Sequence, residues 1–482
     1  MAAESVRQFI GGKYAYSTLR KSYGVTDPTT GKEYAQVEVG LGADINQAVL
    51  AARSALETGP WPGMTALERA RILHAIADAI DARADDIAAA EALGPGLPVA
   101  QAGQQTARAS AVFRLAAELI TARAETGQDR APGQSGYLVT GPAGVAGLIT
   151  SWRAPFLAQA RAVAPALAAG CTIVLKPDEW APLPAALLAE IAPAAGLPDG
   201  VLNIVHGSLH RKAPGAQARD ALIAHPGVAR LSFDGDAATG RQITIDAATH
   251  HKPLTTQLAG PAPGLIFADA DLEQAIDGAL FGAFALNGQR RTATSTIGVQ
   301  RPVYDLIVGR LTVRAERIRV GDPADPATEL GPLPDGELVD ALLAGVRLGV
   351  REGARLTTGG RRPAGLAEGN FLAPTVLADI DPSMRIFAEH IRGPVLRVTP
   401  FDSDDEAVSL ANAGTDLPAA YLWTSDPERA RRLAPAIKNA ALWVNAHNHQ
   451  DAIAEGIDID FYTRSLTVRT ASDDAPAPRF GA

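Results

Sequence analysis

The sequence is nearly free of cysteine: Cys171 is the one thiol in 482 residues. No intrachain disulfide can form, which fits a reducing compartment, and the chain is read as cytoplasmic. Long apolar runs are missing as well. The best candidate, residues 158–169, is interrupted by Arg161 and is too short to span a bilayer. The first ten residues hold no basic segment followed by an apolar one, so no signal peptide is read there. There is no basic excess. A net charge of −9 argues against nucleic acid or an anionic membrane as partner. No internal repeat and no long low-complexity tract is found. No Gly-x-Gly-x-x-Gly sits at a strand-to-helix turn, since Gly141, Gly144 and Gly147 come before their strand is complete. His250, His251, His447 and His449 lack the Cys or Asp/Glu set that would complete a metal site.

What remains is ordinary globular composition, with 47% hydrophobic and 20% charged residues. The N-terminal third reads as mostly helical after a short β start. Thr65-Ala-Leu-Glu68 is a capping box, followed by Ile72, Leu73, Ile76 and Ile80 on one helical face. From Val145 strands and helices alternate. Residues 145–150 and 172–175 read as strands, and 155–169 as a helix with proline in its first turn. Strands at 202–205 and 231–233 continue the series. Such alternation implies parallel strands with helices on both faces, an α/β nucleotide-binding architecture. A second α/β unit begins near Thr256, with a strand at 264–267, a helix capped by Asp271, and a helix near 338–350 that stops at Gly353. The tail after Ser472 is rich in Ala, Pro and Asp and is expected to be mobile.

Several segments, in order, resemble the aldehyde dehydrogenase superfamily. They include Leu175-Lys-Pro-Asp-Glu179, Gly196-Leu-Pro-Asp-Gly-Val-Leu-Asn203, Ile266-Phe-Ala-Asp-Ala-Asp-Leu272, Gly321-Asp-Pro-Ala-Asp-Pro326, Gly393-Pro-Val395 and Trp443-Val-Asn445. The resemblance implies a Rossmann-like cofactor domain over 1–127 and 141–254, and an α/β catalytic domain over 255–448. It also implies a small β oligomerisation element with the C-terminal tail over 128–140 and 449–482. The family's chemistry forms a thiohemiacetal on cysteine, passes a hydride to a nicotinamide, and hydrolyses the thioester with a water activated by glutamate.

At the family's functional positions this chain departs. The nucleophile cysteine is Arg291, and a guanidinium cannot attack a carbonyl. The base glutamate is Gln257, and an amide cannot take a proton from water. The oxyanion asparagine is Arg153. On the cofactor side Trp152, Lys176, Glu179 and Gly235 match the family. The pyrophosphate serine is instead Asp236, and the family's Glu-Ile-Phe-Gly-Pro is His390-Ile-Arg392-Gly-Pro394. A carboxylate at Asp236 is expected to repel phosphate by on the order of 4 kcal/mol. The glycine-rich turn after the third strand is replaced by residues 207–215, and the loop after Asn445 is altered. Cys171 reads as a small buried residue at the start of a strand. Thr292 and Ser295 have no base beside them.

These departures lead to the expectation of a non-catalytic structural or regulatory subunit that lacks standard NAD-dependent aldehyde oxidation. Such a subunit would be a homo- or hetero-oligomer, paired with copies of itself, an active aldehyde dehydrogenase or a pathway enzyme. The retained terminal strand, which in the family pairs across a dimer, supports that expectation. One alternative is a repurposed enzyme or small-anion binder, since Arg153, Arg290, Arg291, His390 and Arg392 are expected to converge on one cleft. A plainer alternative has these side chains filling an abandoned pocket against Asp234 and Asp236. Another is an active NAD-dependent aldehyde dehydrogenase of unusual mechanism. No cofactor is expected to be held firmly. Residual NAD is favoured over NADP, because the Glu179 carboxylate repels a 2′-phosphate.

Overall fold

A computed structural model describes residues 4–126, 136–207, 216–389, 391–414, 417–447 and 457–469. The loop at 208–215, His390, His449 and the tail after 469 lie outside the described residues. Two seven-stranded sheets dominate. The first runs, in spatial order, Leu254–Ala259, Val228–Asp236, Val145–Ile149, Thr172–Lys176, Leu202–Ile204, Gln8–Ile10 and Lys13–Ala15. Its first five strands are parallel, and the last two form an antiparallel edge. The two central strands are buried at every position, because helices cover both faces.

The alternation of side chains decides which face is which. Val145, Ile149 and Val174 pack with Ile45, Val49, Leu222 and Ile243 on one side. Ala146, Leu148, Ile173 and Leu175 pack with Leu73, Ile76, Phe113 and Leu167 on the other. The second sheet runs Arg355–Thr358, Thr375–Ala378, Val395–Phe401, Thr296–Gln300, Gly264–Ile266, Ala420–Trp423 and Leu442–Val444, and only its first pair is antiparallel. The expected α/β fold is thus present. The N-terminal third holds more β structure than its composition suggests, with five short strands between Glu4 and Glu38.

Local signals account for many of the boundaries. Thr65 and Glu68 form their reciprocal capping bonds. Asp271 accepts from the Gln274 amide, and the helix Gly336–Glu352 stops at Gly353 with φ of 111°. The strand Thr463–Arg469 pairs antiparallel with Gly136–Pro142 of the same chain. Among the described residues no helix is long and apolar enough to cross a membrane.

One buried acid anchors the start of a central helix. Glu91, fully buried in the helix Ala84–Leu93, accepts a bond of 2.9 Å from the Phe156 amide at the start of the helix Pro155–Ala169. Burial pushes its carboxyl up to about 8 despite that bond. The folded chain therefore keeps a proton that the unfolded chain releases near its ordinary value. The stability this contributes is complete below about pH 4.5 and is lost as pH rises through about 8. Replacing Glu91 with Gln should remove that slope. Thermal melts between pH 5 and 8 should show the wild type losing on the order of 1 kcal/mol per pH unit relative to E91Q.

Candidate active site

The segment after the helix Leu272–Phe284 turns sharply. Leu286, Asn287 and Gly288 take successive φ values of 52°, 59° and 68°. A Cβ on Gly288 would lie 2.4 Å from the Gly393 carbonyl oxygen, so only glycine fits there. Asn287, fully buried, holds the turn. Its amide nitrogen donates to the carbonyls of Gly96 at 2.8 Å and Pro332 at 3.0 Å, and its oxygen accepts from the Gly331 amide at 2.8 Å. The Leu286 amide donates to Gln101 Oε1 at 2.6 Å. This frame delivers residues 289–292 to the wall of a cavity.

The cavity has a volume of about 80 Å³ and lies between the C-terminal ends of the first-sheet strands and this loop. At roughly 10–15 Å³ per water it holds several waters or a small ligand. Five guanidiniums line it, from Arg108, Arg153, Arg161, Arg290 and Arg291. Asp234 is the one carboxylate among its described lining residues. Burial lowers Arg290 to about 10; Tyr421 opposes this, while Arg108, Arg161 and Arg291 push the same way. Arg290 lies 4.6 Å over the Phe281 ring, yet its Nη1 is buried without a hydrogen-bond partner. Gln289 is 2% exposed, and neither atom of its amide group has a partner. Burial lowers Arg153 too, with Asp234 and Asp236 opposing the shift. Its guanidinium stands 4.8 Å over Trp152.

Asp234 and Gln257 are register partners on the parallel strands Val228–Asp236 and Leu254–Ala259. Ser151 donates its hydroxyl to Asp234 Oδ1. Of the five side chains expected to converge, Arg153, Arg290 and Arg291 line this cavity with Gly235 and Gln257, and Arg392 lines another; Arg108, Arg161, Asp234 and Gln289 join the first. Arg161 leaves a signal in the sequence, since it interrupts an apolar run, but that signal bears on a membrane span and not on a cleft. Arg108 leaves none, being one polar residue of a long helix.

Asp236 and Arg392 line a neighbouring cavity of about 540 Å³, together with Arg241, Glu389 and Arg397. At Asp236 the structure shows a helix cap. Asp236 caps the helix Ala237–Thr249, with its oxygens accepting from the Thr239 amide and hydroxyl, each at 2.9 Å. Burial pushes its carboxyl up, but these bonds, with Arg153 and Arg392, more than offset that and hold it below its usual range. Arg153 and Arg392 are thus among the groups that favour its charged form. Arg397, 2% exposed, donates to Ser295 Oγ at 3.2 Å and to the carbonyls of Ile386, Phe387 and Glu389, tying the loop of Arg291 to the segment before Arg392. Lys176 and Glu179 stand apart at the end of the strand Thr172–Lys176. Burial lowers Lys176 to about 8 against the pull of Asp178 and Glu179, and its Nζ donates to the Pro177 carbonyl at 3.0 Å. Trp152 packs edge-on against Trp180. Cys171, fully buried at the opposite end of that strand, donates to the Tyr462 carbonyl and lies away from the cleft. Thr294, unlike Thr292 and Ser295, does pair with a histidine, His447 Nε2 at 3.1 Å, but it does not line the cavity.

Residues 14–456 match the Aldehyde dehydrogenase family. The chain is 41% identical over 435 residues to 5-carboxymethyl-2-hydroxymuconate semialdehyde dehydrogenase of Escherichia coli, covering 88% of this chain and 90% of that one. It is 37% identical to 2-hydroxymuconic semialdehyde dehydrogenase of Pseudomonas sp. (strain CF600), covering 92% of each. The crystal structure of HpcC from Thermus thermophilus superposes with a TM-score of 0.91 at 37% identity, over 99% of this chain and 95% of that one. A point mutant of betaine aldehyde dehydrogenase from Staphylococcus aureus, in complex with NAD+, superposes with a TM-score of 0.89 at 30% identity, over 97% and 96%.

These likenesses overturn the expectation of a non-catalytic structural or regulatory subunit. The relatives are dehydrogenases by name, matched over nearly their whole length. Arg291 still cannot act as the thiol does. What fails is the step from a missing thiol to a missing chemistry. The arginine-lined cavity should take a small dicarboxylate. Succinate at about a hundred times its Kd should stabilise the protein by about 2.7 kcal/mol, seen as a rise in Tm. Arg290→Met should remove most of that rise.

Proposed function

Since the chain belongs to the aldehyde dehydrogenase family, we propose that it oxidises a small carboxylate-bearing aldehyde with NAD as acceptor, without a covalent thiol intermediate. The observation that carries this reading is the cavity itself: five guanidiniums against one carboxylate, with the Gln289 amide and Arg290 Nη1 still seeking partners. Arginine matches a carboxylate through paired hydrogen bonds, and such a site disfavours a neutral or cationic aldehyde. The names of two relatives, both semialdehyde dehydrogenases of muconate derivatives, are in keeping with an anionic substrate. Arg153 and Arg291 both line the cavity and would stabilise charge building on the carbonyl oxygen of a bound aldehyde.

The residues present suit a dinucleotide. Lys176 and Glu179 would hold the adenosine ribose, and Glu179 disfavours a 2′-phosphate. Arg241 and Arg392 beside the capped helix end would face the pyrophosphate side. When bound, the nicotinamide supplies the hydride acceptor. The ribbon formed by Gly136–Pro142 and Thr463–Arg469 exposes Leu466, at 62%, and is the surface through which copies of the chain would assemble.

Purified protein should form NADH from succinic semialdehyde and from the muconate semialdehydes, and should prefer NAD to NADP. Its kcat/KM for these should exceed that for propanal or betaine aldehyde by at least about tenfold, a difference of about 1.4 kcal/mol. Absence of NADH with every anionic aldehyde would count decisively against the reading.

A further inference from the structure

The family's base is a glutamate at the position of Gln257, and Gln257 cannot take a proton. One strand away, in direct register with it, stands Asp234. Residues paired across parallel strands project from the same face of the sheet, and the strands lie about 4.8 Å apart. Asp234 and Gln257 both line the cavity that also holds Arg153, Arg290 and Arg291. A carboxylate therefore faces the same small volume from the neighbouring strand. The two changes are complementary: the acid function leaves Leu254–Ala259 and is found on Val228–Asp236.

We propose that Asp234 is the base that activates water for addition to the bound aldehyde, and that Ser151 positions it. The inference rests on the reading of the cavity as an aldehyde site. The water oxygen forms a bond to the aldehyde carbon while the Asp234 carboxylate takes one water proton. The carbonyl π pair moves onto the oxygen, where the guanidiniums of Arg153 and Arg291 hold the alkoxide. Return of the proton from Asp234 to that oxygen completes a gem-diol. No oxidant is consumed, so this step is reversible hydration and proceeds without nucleotide. The hydrate bears the same carbon–hydrogen bond that the aldehyde does, and oxidation would then remove it as hydride.

Three features of the site fit this role. The Ser151 hydroxyl bonds one carboxylate oxygen and fixes its orientation. The Arg153 amide lies 3.4 Å from the same Ser151 oxygen, so base and oxyanion donor share one support. The volume of about 80 Å³ accommodates a water beside a small aldehyde.

Hydration is measured directly, without NAD, by the loss of heavy-oxygen label from the aldehyde oxygen of succinic semialdehyde into water. The wild-type protein should accelerate exchange over buffer by at least about tenfold, and Asp234→Asn should return it to the buffer rate. Ser151→Ala should lower it less, and Asp234→Glu should restore part of it. Circular dichroism confirms that each variant is folded. No acceleration by the wild type, or equal acceleration by folded D234N, overturns the assignment. Asp234-dependent exchange without NADH formation on adding NAD upholds the assignment and overturns the oxidation reading. NADH formation with no Asp234-dependent exchange does the reverse.

Discussion

The cleft depends on the tether at Asn287. Three successive residues in the left-handed region are costly for any chain, more so when two of them carry side chains. The Asn287 amide offsets that cost by closing three hydrogen bonds inside the protein, to segments distant in sequence. It sits where no water can substitute. Without this anchor the loop would relax towards ordinary backbone angles, and Gln289, Arg290 and Arg291 would leave the cavity wall. The geometry of the site is thus set by an uncharged side chain that never meets the cavity's contents.

Holding several guanidiniums in one small volume raises a second demand. Like charges at close range lower one another's proton affinity, and burial lowers it further, as at Arg290. The protein answers in part with aromatic faces, since Phe281 lies under Arg290 and Trp152 under Arg153. Asp234 and Asp236 supply the remaining relief for Arg153. Such an arrangement is costly for stability alone, a cost that the proposed anionic substrate would relieve.

Much of the fold is legible in local signals. The capping box at Thr65, the cap at Asp271 and the stop at Gly353 each follow from neighbours a few residues apart. The alternation after Val145 announces a parallel sheet. The site is legible only in part. Arg153, Gln257 and Arg291 are placed by resemblance, and the structure brings them together. Asp234 is visible as a residue but not as a neighbour of Gln257, because register between parallel strands is decided by the packing of the crossing helix, not by adjacent residues. That is also why the missing thiol and glutamate weigh too heavily in a reading of sequence alone. A sequence shows which atoms have left a position, while the atoms that arrive opposite it belong to another strand.

The buried guanidinium of Arg397 joins the loop of Arg291 to the segment that precedes Arg392. The two cavities therefore share one mechanical joint. Its acceptors, Ser295 on one side and the carbonyls of Phe387 and Glu389 on the other, are held by this single side chain. Whatever factor one occupant imposes on the affinity of the second, the second must return to the first. Were Arg397 to carry such a factor, the two cavities would form one linked equilibrium.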